Sequence, residues 1–272
     1  MATKQIHDNN HDLPSRYEIR QITAEHSEWA RALIIYGFLL RTSIWTPLLL
    51  EPKTANALRA LDKLSDYVDH AVNSGMSYGI FDTEYEYRFP KSEAIGGNLN
   101  WRDLDPDDPY LSLKMIQAMD FPLVSMAMAY DFYYERPLGD IMDILPLHPA
   151  MMQQLGKVDT RPLETWFPKG PGEVVCRTGT VTVPGYERRG LATALCKFMI
   201  LEMQRRGFRG LMIGAQGRTI HRLHCEPPGN CKSTVLHHYD VEAIELDDAD
   251  GKKIKPYTAS ELKEGWLVWL DL

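Results

Sequence analysis

Apolar positions along the chain recur with two periods, and each period predicts a run of elements. Tyr17-Glu18-Ile19-Arg20-Gln21-Ile22 alternates as a half-buried strand does. Thr23 supplies a helix cap, and Trp29, Leu33 and Tyr36 carry an apolar stripe on to Leu40. Pro47 and Pro52 separate this helix from a second, Lys53 to Asn73, in which Leu58, Leu61, Leu64 and Val68 recur at helical spacing until Gly75 stops it. Two strands are expected next, at Ser77 to Asp82 and Ala94 to Trp101, joined by the charged and aromatic stretch Glu84, Tyr85, Glu86 and Tyr87.

Between Asp103 and Gly172 the pattern changes. Asp105-Pro106-Asp107-Asp108-Pro109 is a turn and a helix start, leading to a short helix around Leu111 to Met119. Val124, Met126, Met128 and Tyr130 then alternate with Ser125, Ala127 and Ala129. That spacing fits a strand with one bulky face and a packed helix equally well. Pro137, Pro146, Pro149, Pro162, Pro168 and Pro171 cut the rest into short pieces, so 103–172 is expected to be a helical and irregular insertion serving as a substrate lid.

Regular patterning returns with a strand from Glu173 to Val183, broken at Pro184-Gly185. Arg188, Arg189 and Gly190 open an amphipathic helix with Leu191, Leu195 and Phe198 on one face and Lys197, Gln204 and Arg205 towards the other. Such a strand, basic turn and helix form a phosphate cradle, because the first helical turn leaves backbone N–H groups unpaired at the positive end of its dipole. Phe208 to Ala215 reads as a buried strand, and Gln216 to Gly229 as a polar segment rich in Gly, Pro and His. A short helix at Ser233 to His238, a strand at Val241 to Leu246, a turn at Asp247 to Gly251 and a closing strand at Trp266 to Leu270 complete the chain.

Composition narrows the function classes. With 44% apolar and 25% charged residues, the 272-residue chain is a globular protein with enough length for a full core. A net charge of −7 argues against a general nucleic-acid binder and suits a cationic amine substrate. Residues 1–16 are polar and expected to form a loose arm. The longest apolar run, Ala32 to Leu40, falls short of the roughly 20 residues that cross a bilayer. With no signal-like segment, the four cysteines are expected to be free thiols in the cytoplasm, with the nucleus as the alternative.

The order of elements resembles the GNAT superfamily of N-acetyltransferases. The family signature is Gln or Arg, two residues, Gly, one residue, then Gly or Ala; here it corresponds to Glu187, Arg188, Arg189, Gly190, Leu191 and Ala192. The resemblance covers the chain from Tyr17 onwards apart from 103–172. It implies one α/β (mixed α+β) domain over 17–272, with a central, mostly antiparallel sheet of six to seven strands flanked by helices and the insertion before the fourth strand. It also implies transfer of an acetyl group from acetyl-CoA to a small-molecule amine by direct attack in a ternary complex. Backbone groups of Val181 and Val183 would pair with the pantetheine arm, while Arg188, Arg189, Gly190, Leu191, Ala192 and Thr193 would hold the pyrophosphate. A peptide lysine as acceptor, or a non-catalytic acyl-CoA-binding module, are the alternatives; a homodimer is compatible with either. Glu187 departs from the signature, since an acid opposes a pyrophosphate unless its side chain points away.

Acetyl transfer needs a neutral amine, stabilisation of the thioester oxygen and a proton for the leaving thiolate. By resemblance, a splay of the long strand would free backbone N–H groups of Gly179 to Val181 for the oxygen. The family's proton donor is often a Tyr seven residues after an Asn, on the helix before the sixth strand; counting from Asn230 reaches His237, so His237 and the nearby Tyr239 are both candidates. Glu173 lies six extended residues from Gly179, about 20 Å, too far to act as a base. Asp131, Glu84, Glu86 and His224 are the remaining candidate bases. His221, His224, Cys225, Cys231, His237 and His238 are all types that bind zinc, but the five residues between Cys225 and Cys231 exceed the usual ligand spacing, and no metal is expected.

Overall fold

The computed structural model of the protein describes residues 13–41, 53–105, 107–138, 140–145, 157, 159–247, 250–258, 260 and 262–272. The alternating segment at the start becomes strand β1 (Tyr17–Gln21), antiparallel to β2 (Tyr78–Asp82). Between them lie α1 (Ser27–Ile35), prolonged by a π-helical turn at Tyr36–Leu40, then α2 (Lys53–Lys63) and α3 (Ser65–Asn73). The single helix expected over 53–73 is therefore two. Leu64 leaves the helical region, with ψ at 11°, yet stays buried, so the stripe turns a corner without losing its core contacts. The expected breaks at Pro47 and Pro52 lie outside the described residues, as does the expected arm up to residue 12. Arg16, counted in that arm, is fixed by a two-pronged hydrogen bond to Asp82 at 2.7 Å.

After β2 the chain departs from expectation. Pro90 opens α4 (Pro90–Ile95), which Gly96 ends in the left-handed conformation at φ 77°. The strand expected over 94–101 shrinks to β3 (Asn98–Leu99), paired only with β4 (Met119–Asp120). The helix expected near Leu111 is α5 (Leu111–Gln117). The ambiguous alternation is β5 (Leu123–Asp131), buried along its whole length between β2 and β6 (Val174–Thr182). Residues 103–172 are thus not one insertion, because their middle supplies a central strand. Met126, Met128 and Tyr130 pack into the core with α1, α2 and α3, whereas Ala127 and Ala129 face a second core. Both faces are apolar, which is why periodicity could not separate strand from helix.

The motif helix, Leu191–Arg205, links β6 to β7 (Gly210–Gln216), and its Leu191, Leu195, Phe198 and Met199 fill that second core. A flanking helix follows at Arg218–Cys225, where only a polar segment was expected. Its apolar stripe is short, Ile220 and Leu223 set among Arg and His, and its buried position is His224, so the segment read as polar in the sequence. Ser233 to His238, expected as a helix, lies within strand β8 (Lys232–Asp240), an edge strand paired on one side and largely exposed, so its residues lack the apolar alternation of an inner strand. The strand expected from Val241 is a 3-10 turn at Val241–Ala243 followed by a small ribbon of β9 (Leu246–Asp247) and β10 (Lys253–Ile254). The closing strand is β11 (Glu264–Asp271).

The seven-stranded sheet runs β1-β2-β5-β6-β7-β11-β8, and every neighbouring pair is antiparallel except β6 and β7. This is the mixed, mostly antiparallel sheet that the sequence implied. Among the described residues no helix is long and apolar enough to cross a membrane.

Candidate active site

The turn after β6 is built by its backbone. Arg188 adopts φ 60° and Gly190 φ 78°, two left-handed positions that bracket Arg189 and bend the chain into the motif helix. The first helical bond runs from Ala194 N–H to Gly190 C=O at 3.0 Å, so the N–H groups of Leu191, Ala192 and Thr193 precede the helical ladder. Together they form a concave set of donors suited to an anion. A Cβ at Gly190 would meet nothing within 4 Å; glycine is favoured there by the left-handed backbone. Arg188 is exposed beside these donors. Arg189 instead braces the turn, donating to Gly185 C=O at 2.7 Å and Tyr17 Oη at 3.1 Å. Glu187, the departure from the signature, is paired with Arg41 at 2.8 Å.

A carboxylate that the sequence did not single out ties this turn to the sheet. Asp82, at the end of β2 and 2% exposed, accepts from Arg16, from Tyr186 Oη at 2.7 Å and from Glu84 N–H at 3.1 Å. Burial alone would raise its pKa, but these hydrogen bonds outweigh burial and hold the carboxyl below its ordinary range. Tyr186 thereby anchors the cradle to β2.

β6 and β7 are hydrogen-bonded only from Val174↔Gly210 to Arg177↔Ile213. β6 then runs on to Thr182 and β7 to Gln216 with no rung between them, so the sheet opens beside the cradle. The β5–β6 register shifts at the same place: Met128 faces Gly179, Ala129 faces Arg177, and Thr178 is the extra, bulged residue. The opposite face of β6 is sealed by α1 and its π-helical turn. A Cβ on Gly179 would stand 2.9 Å from Ile34 Cδ1, and one on Gly37 would stand 2.8 Å from Val181 Cγ2.

Buried polar groups gather at the opening. Arg177 is 3% exposed; its Nη2 donates to Thr180 Oγ1 at 2.9 Å and lies 3.7 Å from Cys196 Sγ on the motif helix, while Nε and Nη1 have no partner. Thr178 Oγ1 and His224 Nε2 are likewise buried without a partner. His224 Nδ1 lies 2.8 Å from Ile220 C=O, an acceptor, so Nδ1 carries the proton and Nε2 a lone pair. Burial first, and the charge of Arg177 second, push the His224 pKa down to about 4, so the ring is neutral near pH 7. An arginine inside Val174-Val175-Cys176-Arg177-Thr178-Gly179-Thr180-Val181 was the available sequence signal for this cluster.

The other candidates lie elsewhere. His237 and Tyr239 sit on β8, stacked with centroids 6.0 Å apart, three strands from β6 in the sheet order and roughly 14 Å across it. Tyr239 Oη is buried without a partner, and burial pushes its pKa up to about 12. Asp131 ends β5 opposite Val175, and its carboxylate accepts from Tyr133 N–H at 3.1 Å and Gly172 N–H at 2.7 Å. Glu84 is an exposed side chain near Arg16, while Glu173 accepts from Lys169 N–H and Arg209 where β6 begins. Cys225 Sγ and His221 Nε2 are 3.0 Å apart, but among the described residues no group of three metal-binding side chains assembles.

No family model matches the chain, and no curated protein matches its sequence. Solved structures do match its shape. The C-terminal condensation domain of Ebony, determined with beta-alanyl-dopamine, superposes with a TM-score of 0.61 at 15% identity, covering 94% of this chain and 99% of that one. Arylalkylamine N-acetyltransferase 2 from Aedes aegypti gives 0.58 at 11% identity, covering 95% and 99%. The polyamine N-acetyltransferase of Drosophila melanogaster, described as forming N-acetylagmatine, gives 0.51 at 13% identity, covering 94% and 100%. With its splayed central sheet and its cradle after the long strand, the chain has the fold of the GNAT N-acetyltransferases.

Proposed function

We propose that the protein is an acyl-CoA-dependent N-acyltransferase that acetylates the amine of a small molecule. The observation that carries this reading is the continuity of the cradle with the open edge of β6. An elongated anionic cofactor needs a phosphate site at one end and unpaired backbone along its length, and both lie on one stretch, 178–193. The backbone N–H groups of Leu191, Ala192 and Thr193, with Arg188, would hold the pyrophosphate. Val183 N–H is donated to Val124 C=O at 2.9 Å and Val181 faces β5 likewise, so the alternating backbone of Thr180 and Thr182, in place of the expected Val181 and Val183, would take the pantetheine arm. Glu187 does not oppose this fit, because Arg41 neutralises it. Bound acetyl-CoA supplies an acyl group activated as a thioester.

The chain's own groups then act on the reaction. Unpaired N–H groups near the Thr178 bulge stabilise negative charge developing on the acyl oxygen, an effect strengthened by the buried setting. The acceptor amine attacks directly in a ternary complex. His224 Nε2, bearing a lone pair, accepts a hydrogen bond and orients its donor. The net charge of −7 favours a cationic amine, as do likenesses to proteins named for arylalkylamines and polyamines.

Incubation with acetyl-CoA and a panel of arylalkylamines, polyamines and agmatine, followed by thiol release and mass of the product, tests the reaction. An N-acetylated product is expected from at least one amine. A second reading, an acyl-CoA-binding module without turnover, is favoured by the position of His237 and Tyr239 three strands from β6. Binding without any product across the panel would select it.

A further inference from the structure

Arg177 is unusual in this molecule. Among the described residues no other arginine or lysine is as buried, and no carboxylate is paired with it. A buried cation without a counter-charge is costly, and a fold keeps one where an anion arrives. We propose that Arg177 is the group that receives the thiolate released from CoA, holding it as an anion at the closed end of the β6–β7 opening. The proposal rests on the acyl-CoA reading above and adds to it the residue that replaces a proton donor.

Two observations place the anion there. From the phosphate ester oxygen to the sulfur, the pantetheine arm spans about twelve bonds, the reach of about four extended residues. Four residues of β6 back from Val183 end at Gly179, beside the Thr178 bulge and next to Arg177. The guanidinium lies along this stretch, since its Nη2 bonds Thr180 Oγ1. Second, His224, the histidine close enough to Arg177 to feel its charge, cannot protonate the sulfur. The only ring proton of His224 is donated to Ile220 C=O, and its free Nε2 is an acceptor. A fixed positive charge in a water-poor site stabilises a leaving anion without proton transfer. In the reaction so drawn, the amine nitrogen forms a bond to the acyl carbon and the C–S bond breaks. The electron pair of that bond stays on sulfur, opposite Arg177, and the amine's surplus proton passes to solvent.

The test is calorimetric titration of the intact protein with CoA and with desulfo-CoA, which lacks the sulfur, from about pH 6.5 to about pH 8.5, the range below the free thiol pKa. For the wild type, CoA affinity is expected to rise about tenfold or more with pH while desulfo-CoA affinity stays flat, with thiolate absorbance of bound CoA near neutral pH. Arg177→Met is expected to abolish the rise and the absorbance while still binding desulfo-CoA. Identical pH dependence of the two ligands on the wild-type protein overturns the proposal and leaves the cofactor reading intact, and needs no variant to fold. Binding of neither ligand overturns both. Succinyl-CoA binding tenfold more tightly than acetyl-CoA would assign the guanidinium to a carboxylate on the acyl group and likewise overturn the thiolate role.

Discussion

Single residues set the chemistry of the opening through the groups they leave unpaired. His224 is neutral because burial and the charge of Arg177 hold its pKa near 4, against an ordinary value of 6.5. Its folded pKa is depressed, so the unfolded chain binds the extra proton. The stability it contributes is complete above pH 6.5 and is lost as pH falls towards 4. A shift of this size is worth about 3 kcal/mol. Thermal melts of His224→Gln should therefore lack much of the loss that the wild type shows between these values. Glu187 offers a second test at this scale. Its ion pair with Arg41 is half-exposed and worth about 0–1 kcal/mol to the fold, so its main effect is on local charge. Arg41→Ala should weaken acetyl-CoA binding several-fold, and adding Glu187→Gln should restore it; calorimetry of both variants decides.

Elements carry the site by where their hydrogen bonds stop. The β6–β7 ladder ends at Arg177, and the cradle is held to β2 through Asp82 and Tyr186. Asp82→Ala should cost about 2 kcal/mol, discounted because Arg16 is 37% exposed and regains water. Its folded pKa is depressed below the ordinary 3.8, so the wild-type advantage should be full above that value and vanish as pH falls through the lower one. Melting curves from pH 7 to pH 3 would show this. The cradle was legible because a Val-Thr-Val strand, Pro184-Gly185 and Gly190 leave few local alternatives. β5 was not, since its two apolar faces erase the period-two signal. β8 and the flanking helix were exchanged for similar reasons. An edge strand shows no apolar alternation, and a helix with only Ile220 and Leu223 as its apolar stripe, and His224 as its buried position, is masked by the Arg and His around them. That exchange moved the count from Asn230 onto a strand, so the expected proton donor fell on His237 of β8, while His224 was named only among the candidate bases. The Asp82 staple joins residues far apart in sequence, and such a contact has no local pattern.

At the scale of the whole molecule, two cores sandwich one sheet in which, among the described residues, the β6–β7 ladder stops beside the cradle. The α1, α2 and α3 layer seals one face of β6, and the motif helix flanks the other, so the opening is a slot whose mouth is the set of N–H donors at residues 191–193. The fold, the turn and the slot all converge on the binding of acetyl-CoA. It is tested most directly by calorimetric titration of the wild type and of Gly190→Asp with acetyl-CoA. The substitution places a negative charge at the mouth, in open space, at a strain cost of about 1 kcal/mol for a left-handed non-glycine residue. Micromolar binding to the wild type is expected, with at least a tenfold loss in a variant that still melts cooperatively. No binding to the wild type at high micromolar acetyl-CoA, or equal binding to both proteins, would contradict this reading.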